Sequence, residues 1–284
     1  MKAFPDNGKT LPDGGKANRR MRERSKFYQM MWGGLSLFGI DLYPNRTRSA
    51  FRNLPQFISE WRSYNRLVRD SSQRASLRYF YPVLADRDEP AGNLDIHYWL
   101  QDLWAARLVC ASGTEHHVDV GSRFDGFVAH VLSCVPVTLI DLRPAPIAVS
   151  GLSFIQADAT TLKGVDSNSI DSLSSLHAAE HFGLGRYGDP IDPDAHLRFM
   201  SSLARVLRPG GKLYFSVPTG LERVYFNAYR VLSTETVLCA MPELTLLSFC
   251  AITDDGDFIE NCDPSILAEA QYGCGLYEFT KLSS

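Results

Sequence analysis

Three aspartates, Asp119, Asp141 and Asp158, stand at or just past the ends of short apolar runs, and a glycine turn follows the first. The runs are His117-Val-Asp119-Val-Gly121-Ser-Arg-Phe-Asp-Gly126, Val137-Thr-Leu-Ile-Asp141 and Phe154-Ile-Gln-Ala-Asp158. If each run is a strand of an open α/β sheet, the three ends border one crevice. Gly121 lets the chain turn tightly and lets a ligand approach the backbone, and Gly126 lets the next helix pack closely. Asp141 stands about twenty residues after Asp119, where a carboxylate accepts from both hydroxyls of an unphosphorylated ribose. Asp158 can accept from an adenine amino group. One such aspartate suits a helix cap or a loop; three in this order suit a nucleoside. The middle glycine of a dinucleotide fingerprint is replaced by Arg123, which speaks against a nicotinamide or flavin dinucleotide and an oxidoreductase.

A second group of reactive side chains lies further on. Leu176-His-Ala-Ala-Glu-His-Phe-Gly-Leu-Gly-Arg-Tyr-Gly-Asp-Pro-Ile-Asp192 holds His177, Glu180, His181, Arg186, Tyr187, Asp189 and Asp192. His181 or Glu180 can take a proton from an acceptor hydroxyl, and Arg186 can hold an anionic group. His177-Ala-Ala-Glu180-His181 also matches H-x-x-E-H, an inverted zinc-peptidase order. That motif needs a helix and a third ligand, whereas this segment leaves a buried run and enters Gly183-Leu-Gly185. No metal is therefore expected, and a metal-binding hydrolase through these three residues is a minor alternative.

These side chains need a scaffold. The 284 residues, 45% hydrophobic and 21% charged, suit a globular protein with one large domain and an extension. A net charge of −3 gives no reason to expect nucleic acid. The local basic cluster Arg19, Arg20, Arg22, Arg24 and Lys26 reads as a solvated face. Six cysteines without a C-x-x-C pair, several in apolar runs, point to reduced thiols in the cytosol, hence a cytoplasmic protein without disulfides. The apolar stretch Met30 to Tyr43 is too short and too glycine-rich to span a bilayer; a hairpin, a partner surface or a peripheral membrane contact remains open there.

Along the chain, residues 1–18 read as a disordered tail and 19–93 as a helical extension. Phe51, Leu54, Phe57, Ile58, Trp61, Tyr64 and Leu67 recur at helical spacing and read as a core-facing stripe. Residues 85–94 form a polar linker. Tyr98, Leu100, Leu103, Trp104 and Leu108 mark an amphipathic helix. Strands are expected at 116–120, 136–141, 152–156, 170–176, 212–217, 244–251 and 275–281, with helices at 124–134, 194–207 and 233–240. The last two strands suit an antiparallel hairpin.

Val118-Asp119-Val120-Gly121, Asp141, Ala157-Asp158-Ala159 and the turn Leu207-Arg-Pro-Gly-Gly211 together resemble the class I S-adenosylmethionine-dependent methyltransferases over residues 94–284. The resemblance implies a Rossmann-like seven-stranded sheet in the order 3-2-1-4-5-7-6, last strand antiparallel, and S-adenosylmethionine as cofactor. It implies that Asp119, Gly121, Ser122, Arg123, Asp141, Leu142, Asp158, Ala159 and Leu176 line the cofactor site. His181, Glu180, His177, Arg186 and Tyr187 would then face the acceptor. The usual D-x-G-x-G-x-G carries Arg123 and Asp125 at two of its glycine positions, which also leaves open a non-catalytic binding or scaffold protein. Val120 to Phe127 and Leu176 to Asp192 look more narrowly like the methyltransferase-like domain of unknown function 268. That family is often associated with surface-polysaccharide biosynthesis, which implies O-methylation of a sugar or other small polar acceptor. By the habit of the superfamily, the helical extension acts as a lid or acceptor platform.

Overall fold

β-Branched and leucine-rich runs alternate with helical patterns across the second two-thirds of the chain, and covering both faces of a mostly parallel sheet is the way to bury both. The computed structural model describes residues 44–79, 82–84, 87, 94–145 and 147–282. The expected tail, the basic cluster at 19–26, the stretch 30–43 and most of the linker lie outside the described residues. Two compact units divide at Asn93 and Leu94.

The larger unit carries β1 (His117–Val120), β2 (Val137–Asp141), β3 (Leu152–Gln156), β4 (Ile170–Leu176), β5 (Leu207–Thr219), β6 (Arg223–Tyr225), β7 (Tyr229–Val231), β8 (Leu244–Ile252), β9 (Phe258–Ile259) and β10 (Gly273–Lys281). Eight of these strands form one sheet in the order β3-β2-β1-β4-β5-β10-β8-β9. β10 runs antiparallel to both β5 and β8. This is the expected Rossmann-like methyltransferase arrangement with β10 and β8 in the last two places. It differs in having eight strands rather than seven, because β9 folds back on β8 at Ala251 and Ile252. β6 and β7 form a separate hairpin that the sequence reading did not anticipate.

Helices cover both sheet faces. α1 (Pro44–Leu67) belongs to the first unit; α2 (Ile96–Ala111), α3 (Ala129–Leu132), α4 (Ala195–Val206) and α5 (Thr234–Ala240) belong to the second. One buried cluster gathers Val120, Leu173, Phe199, Leu203 and Phe215 with α4 and α5. The other gathers Trp104, Val109, Phe127, Leu139 and Leu276 with α2 and α3. β4 places Ser172, Ser174 and Ser175 in this interior. His117 explains two of them: its ring nitrogens lie 2.7 Å from Ser172 Oγ and 2.8 Å from Ser174 Oγ. Burial holds that imidazole neutral by lowering its pKa to about 3.

Several expectations are corrected. The helix expected at 124–134 opens as a π-turn over Phe124–Val128 and ends at Leu132. The Pro-Gly-Gly turn does not delay the strand to residue 212. β5 begins at Leu207 and carries the turn as a bulge, its pairing with β4 jumping from Ile170–Leu207 to Ser172–Lys212. α2 buries the expected Trp104, with Leu100 and Leu108 half-buried against the same cluster, and it also buries Gln101, Asp102, Ala105, Ala106 and Val109. Gln101 is tolerated there because it accepts a 2.6 Å bond from Ser216 Oγ and donates to Asp102. The stripe on α1 is not core: Phe51 is 73% and Leu67 80% exposed. Among the described residues only short 3-10 turns follow this helix in its unit, and they leave much of the stripe uncovered.

The cysteines need the largest correction. Cys110 at the end of α2 and Cys134 just past α3 are joined by a disulfide, with Cα atoms 5.7 Å apart. The fold packs α3 against α2, so residues 24 apart meet without any local spacing signal. The cytoplasmic expectation rested on six reduced thiols and loses that support. Among the described residues, no helix is long and apolar enough to cross a membrane.

Gly126 is required by packing, as expected. A Cβ there would stand 2.0 Å from Asp102 Oδ2, a buried side chain of α2. Gly126→Ala is expected to lower stability by about 1–3 kcal/mol through overpacking, read as an earlier urea midpoint. An unchanged midpoint would mean that α2 yields freely at Asp102.

Candidate cofactor and acceptor site

A cavity of about 320 Å³ opens where β1, β2 and β4 end and just beyond β3. Gly121, Arg123, Asp141, Leu142, Asp158, Ala159, His177, His181, Arg186 and Tyr187, all expected at the site, line it. Parallel pairing is the cause. Asp119 is level with Leu139 of β2, and Asp141 with Gln156 of β3, so the chain beyond each strand emerges at one edge.

Gly121 sits at φ 76°, and a Cβ there would lie 3.1 Å from the Cβ of Ala178. The turn after β1 therefore closes against the turn after β4 only with glycine. The residues at two missing glycine positions answer one another, since Arg123 Nη2 meets Asp125 Oδ2 at 2.7 Å. The Arg123 guanidinium also lies 4.5 Å over the Tyr98 ring. The departure from the glycine-rich pattern thus makes one wall of the cleft.

Asp141 accepts from Arg143 three times: from the backbone N–H at 2.8 Å, from Nε at 3.1 Å and from Nη2 at 2.9 Å. A carboxylate offers about four acceptor sites, so one edge is left for a ligand hydroxyl. Asp158 is exposed and uses Oδ1 to accept from the Thr160 N–H and hydroxyl, which fixes the turn and leaves the other oxygen toward the cleft.

Asp119, Ser122, Leu176 and Glu180 do not line the cavity. Asp119 is fully buried and accepts from Ser122 Oγ at 2.6 Å, Ser122 N at 3.1 Å and Ser174 Oγ at 2.5 Å. Ser122 Oγ in turn accepts from Leu176 N at 2.9 Å. This chain ties the turn after β1 to the end of β4, so these residues support the cleft from beneath. Burial raises the Asp119 pKa to about 6 against the pull of its serine donors.

Beyond β4 the backbone of His177 adopts φ 49°, a region that side chains other than glycine rarely occupy. Its ring is buried, and its Nε2 has no hydrogen-bond partner. Ala179–His181 form a single 3-10 turn. The zinc-peptidase reading needs both histidines on one α-helical face, and among the described residues His177, Glu180 and His181 do not gather as a ligand group.

His181 and Glu180 are electrostatically distinct. His181 Nδ1 lies 2.7 Å from the Ala228 carbonyl, so it carries the proton and Nε2 keeps its lone pair. Burial lowers its pKa to about 4. Glu180 is 1% exposed, burial raises its pKa to about 8, and its Oε1 is 3.8 Å from His181 Nε2. At neutral pH both are uncharged. Arg186 also donates to the Ala228 carbonyl, at 2.9 Å. The Asp189 carboxylate accepts from Gly183, Gly185 and Tyr187 N–H groups and shapes the loop between.

Residues 153–242 match the family model DUF268, described as a Caenorhabditis protein of unknown function. No curated protein matches the sequence. Among solved structures, the N-methyltransferase NodS of Bradyrhizobium japonicum, crystallised with S-adenosyl-L-homocysteine, is similar at 16% identity. That alignment covers 65% of this chain and 87% of NodS, with a TM-score of 0.46. The 1,6-didemethyltoxoflavin-N1-methyltransferase of Burkholderia thailandensis, with its substrate and S-adenosylhomocysteine bound, is 17% identical over 69% of this chain and 93% of its own, with a TM-score of 0.44. The (4+2)-cyclase SpnF is 16% identical over 71% and 82%, with a TM-score of 0.47.

Sequence reasoning missed Tyr98, Arg143 and Phe182 in the cavity wall. Arg143 was findable: a basic residue two positions after a strand-end aspartate folds back on it. Tyr98 was taken only as part of a helix face, and nothing local tells that α2 starts beside the cleft.

Proposed function

We propose that this chain is an S-adenosylmethionine-dependent methyltransferase that O-methylates a sugar or another small polar acceptor. The observation that carries the reading is the meeting of Asp141 and Asp158 at one cavity floored by Gly121. These residues fit the cofactor: Asp141 offers a free carboxylate edge to ribose, Asp158 an oxygen to the adenine amino group, and Gly121 close backbone approach. When bound, the cofactor supplies a methyl group already activated by a sulfonium. The protein then has to align an acceptor oxygen and take its proton. His181 is the base, because its Nε2 lone pair is unprotonated at neutral pH and the ring lines the cavity. Glu180, protonated there, is no base; it sets a neutral acid rather than an anion beside His181. Tyr187 stands edge-on to His181 at 5.7 Å and 4.6 Å from the Arg143 guanidinium, a flat wall suited to a sugar face. A role in surface-polysaccharide synthesis rests on the family resemblance.

A second reading, a non-catalytic binding protein of the same fold, is favoured by the Arg143 side chain lying across Asp141 and by Arg123 in a glycine position. Calorimetry with S-adenosylhomocysteine, followed by labelled methyl transfer to a panel of nucleotide sugars, separates the two. Binding with turnover that falls about 100-fold or more in His181→Ala supports the methyltransferase, in line with the 10²–10⁴-fold worth of a general base. Binding without turnover, or no binding by folded protein, ends the methyltransferase reading, and turnover ends the second.

A further inference from the structure

Behind the cleft wall, three donors of the kind that hold transition metals converge from separate elements. His97 comes from the first turn of α2, His177 from the turn after β4, and Cys274 from the second position of β10. β10 runs opposite to β4 and β5, so its beginning lies at the same sheet edge as their ends; Cys274 pairs with Pro218 near the end of β5. One ligand atom from each of the three lies within 4.8 Å of the other two. Cys274 Sγ is 3.9 Å from His177 Nδ1. His97 meets His177 edge-on at 5.8 Å and stacks on Tyr272 at 5.1 Å, which fixes its ring plane. Among the described residues this is the one such group of histidine, cysteine and carboxylate side chains.

We propose that His97, His177 and Cys274 bind a zinc-class divalent ion. Zinc takes Cys sulfur at about 2.3 Å and His nitrogen at about 2.0–2.1 Å, so tetrahedral ligand atoms stand roughly 3.5 Å apart. Binding draws together three atoms that already lie within 4.8 Å of one another, Cys274 Sγ and His177 Nδ1 at 3.9 Å. Two imidazoles and a thiolate suit a borderline-soft ion and not magnesium or calcium, which take oxygen ligands. Independent support comes from His177 itself, a buried imidazole whose Nδ1 faces Cys274 while Nε2 has no hydrogen-bond partner, on a backbone conformation that a non-glycine residue rarely keeps. On binding, the Cys274 thiol gives its proton to solvent and the sulfur bonds the ion. Three protein donors leave a fourth position for water or an acceptor oxygen. His177 also lines the cavity, so the ion stands at its edge. This is a different ligand set from the H-x-x-E-H motif, of which only His177 takes part.

The inference does not rest on the nucleotide reading, and its test is read with no cofactor present. Full-length, tag-free protein in a non-chelating buffer is titrated with Co²⁺. One equivalent is expected to give tetrahedral d–d bands and a thiolate-to-cobalt charge-transfer band, both removed by Zn²⁺. Cys239 is the exposed free thiol, so Cys239→Ser should leave the bands intact, whereas Cys274→Ser should abolish the charge-transfer band. His97→Gln, on the partly exposed helix start, should weaken cobalt binding about 100-fold or more, since even residues behind metal ligands are worth 10–100-fold. Should Cys274→Ser fail to fold, the His97→Gln titration decides alone. Absence of the charge-transfer band in the unaltered protein, its persistence in folded Cys274→Ser, or unchanged affinity in His97→Gln overturns the proposal.

Discussion

Asp141→Ala is expected to weaken S-adenosylhomocysteine binding by about 100-fold while leaving the fold intact. A ribose hydroxyl donating to the free edge of this carboxylate makes a charge-assisted bond of roughly 1.5–3 kcal/mol. Losing it removes up to about 3 kcal/mol, which is about two factors of ten in Kd. Stability should change little, because the main structural partner of Asp141 is Arg143, whose side chain is half exposed and can return to water. Arg143→Ala gives the complementary result: it uncovers the carboxylate and should leave affinity equal or better. Calorimetry on both variants checks this. Wild-type affinity in Asp141→Ala would show that the ribose is held elsewhere and would remove the central support for the nucleotide reading.

Glu180→Gln is expected to stabilise the protein at pH 8 by on the order of 3 kcal/mol and to change it little near pH 5. The cause is burial, which outweighs the pull of the Arg186 guanidinium: the Glu180 pKa rises from 4.5 to about 8. Between those values the unfolded chain has released the proton and the native protein still holds it. The native state binds more protons, so unfolding becomes easier as pH rises. The stability tied to the neutral acid is complete below about 4.5 and gone by about 8, a span worth up to about 5 kcal/mol, from which the cost of burying an amide is subtracted. Asp102 and Asp119, also raised by burial, to about 6 each, contribute below that pH. The buried histidines act in the opposite direction. His181 and His196 are lowered to about 4 and His117 to about 3, so the unfolded chain takes up their protons first and stability falls as pH drops below 6.5. The interval from 6.5 to 8 therefore belongs to Glu180. Urea unfolding at half-unit steps across it should show a falling limb in the wild type and a flatter one in Glu180→Gln. Parallel limbs would mean that Glu180 is ionised in the native protein and that His181 works beside an anion.

The same burial argument decides between the two acceptor-side residues that the sequence leaves as equal candidates for a base. A histidine and a glutamate side by side read alike in a chain of letters. Buried together, the glutamate becomes the proton holder and the histidine the open lone pair, because a neutral imidazole costs less to desolvate than a carboxylate.

Composition and local pattern by themselves determined the parallel half of the sheet. The runs at 117–120, 137–141, 152–156 and 170–176 are apolar segments of strand length ending in turn residues, and such segments have few other ways to be buried. That pattern also settled which strand ends carry Asp141 and Asp158, since period and punctuation are local properties. What the tertiary structure alone decided is everything set by distance across the sheet. The Cys110–Cys134 bond, the placing of Arg123 over Tyr98, the withdrawal of Asp119 beneath the cleft and the meeting of His97, His177 and Cys274 all depend on chain direction and packing. The reversal of β10 was legible in the short link that precedes it, but that it brings residue 274 beside residue 177 is a pairing across the sheet that no periodicity records.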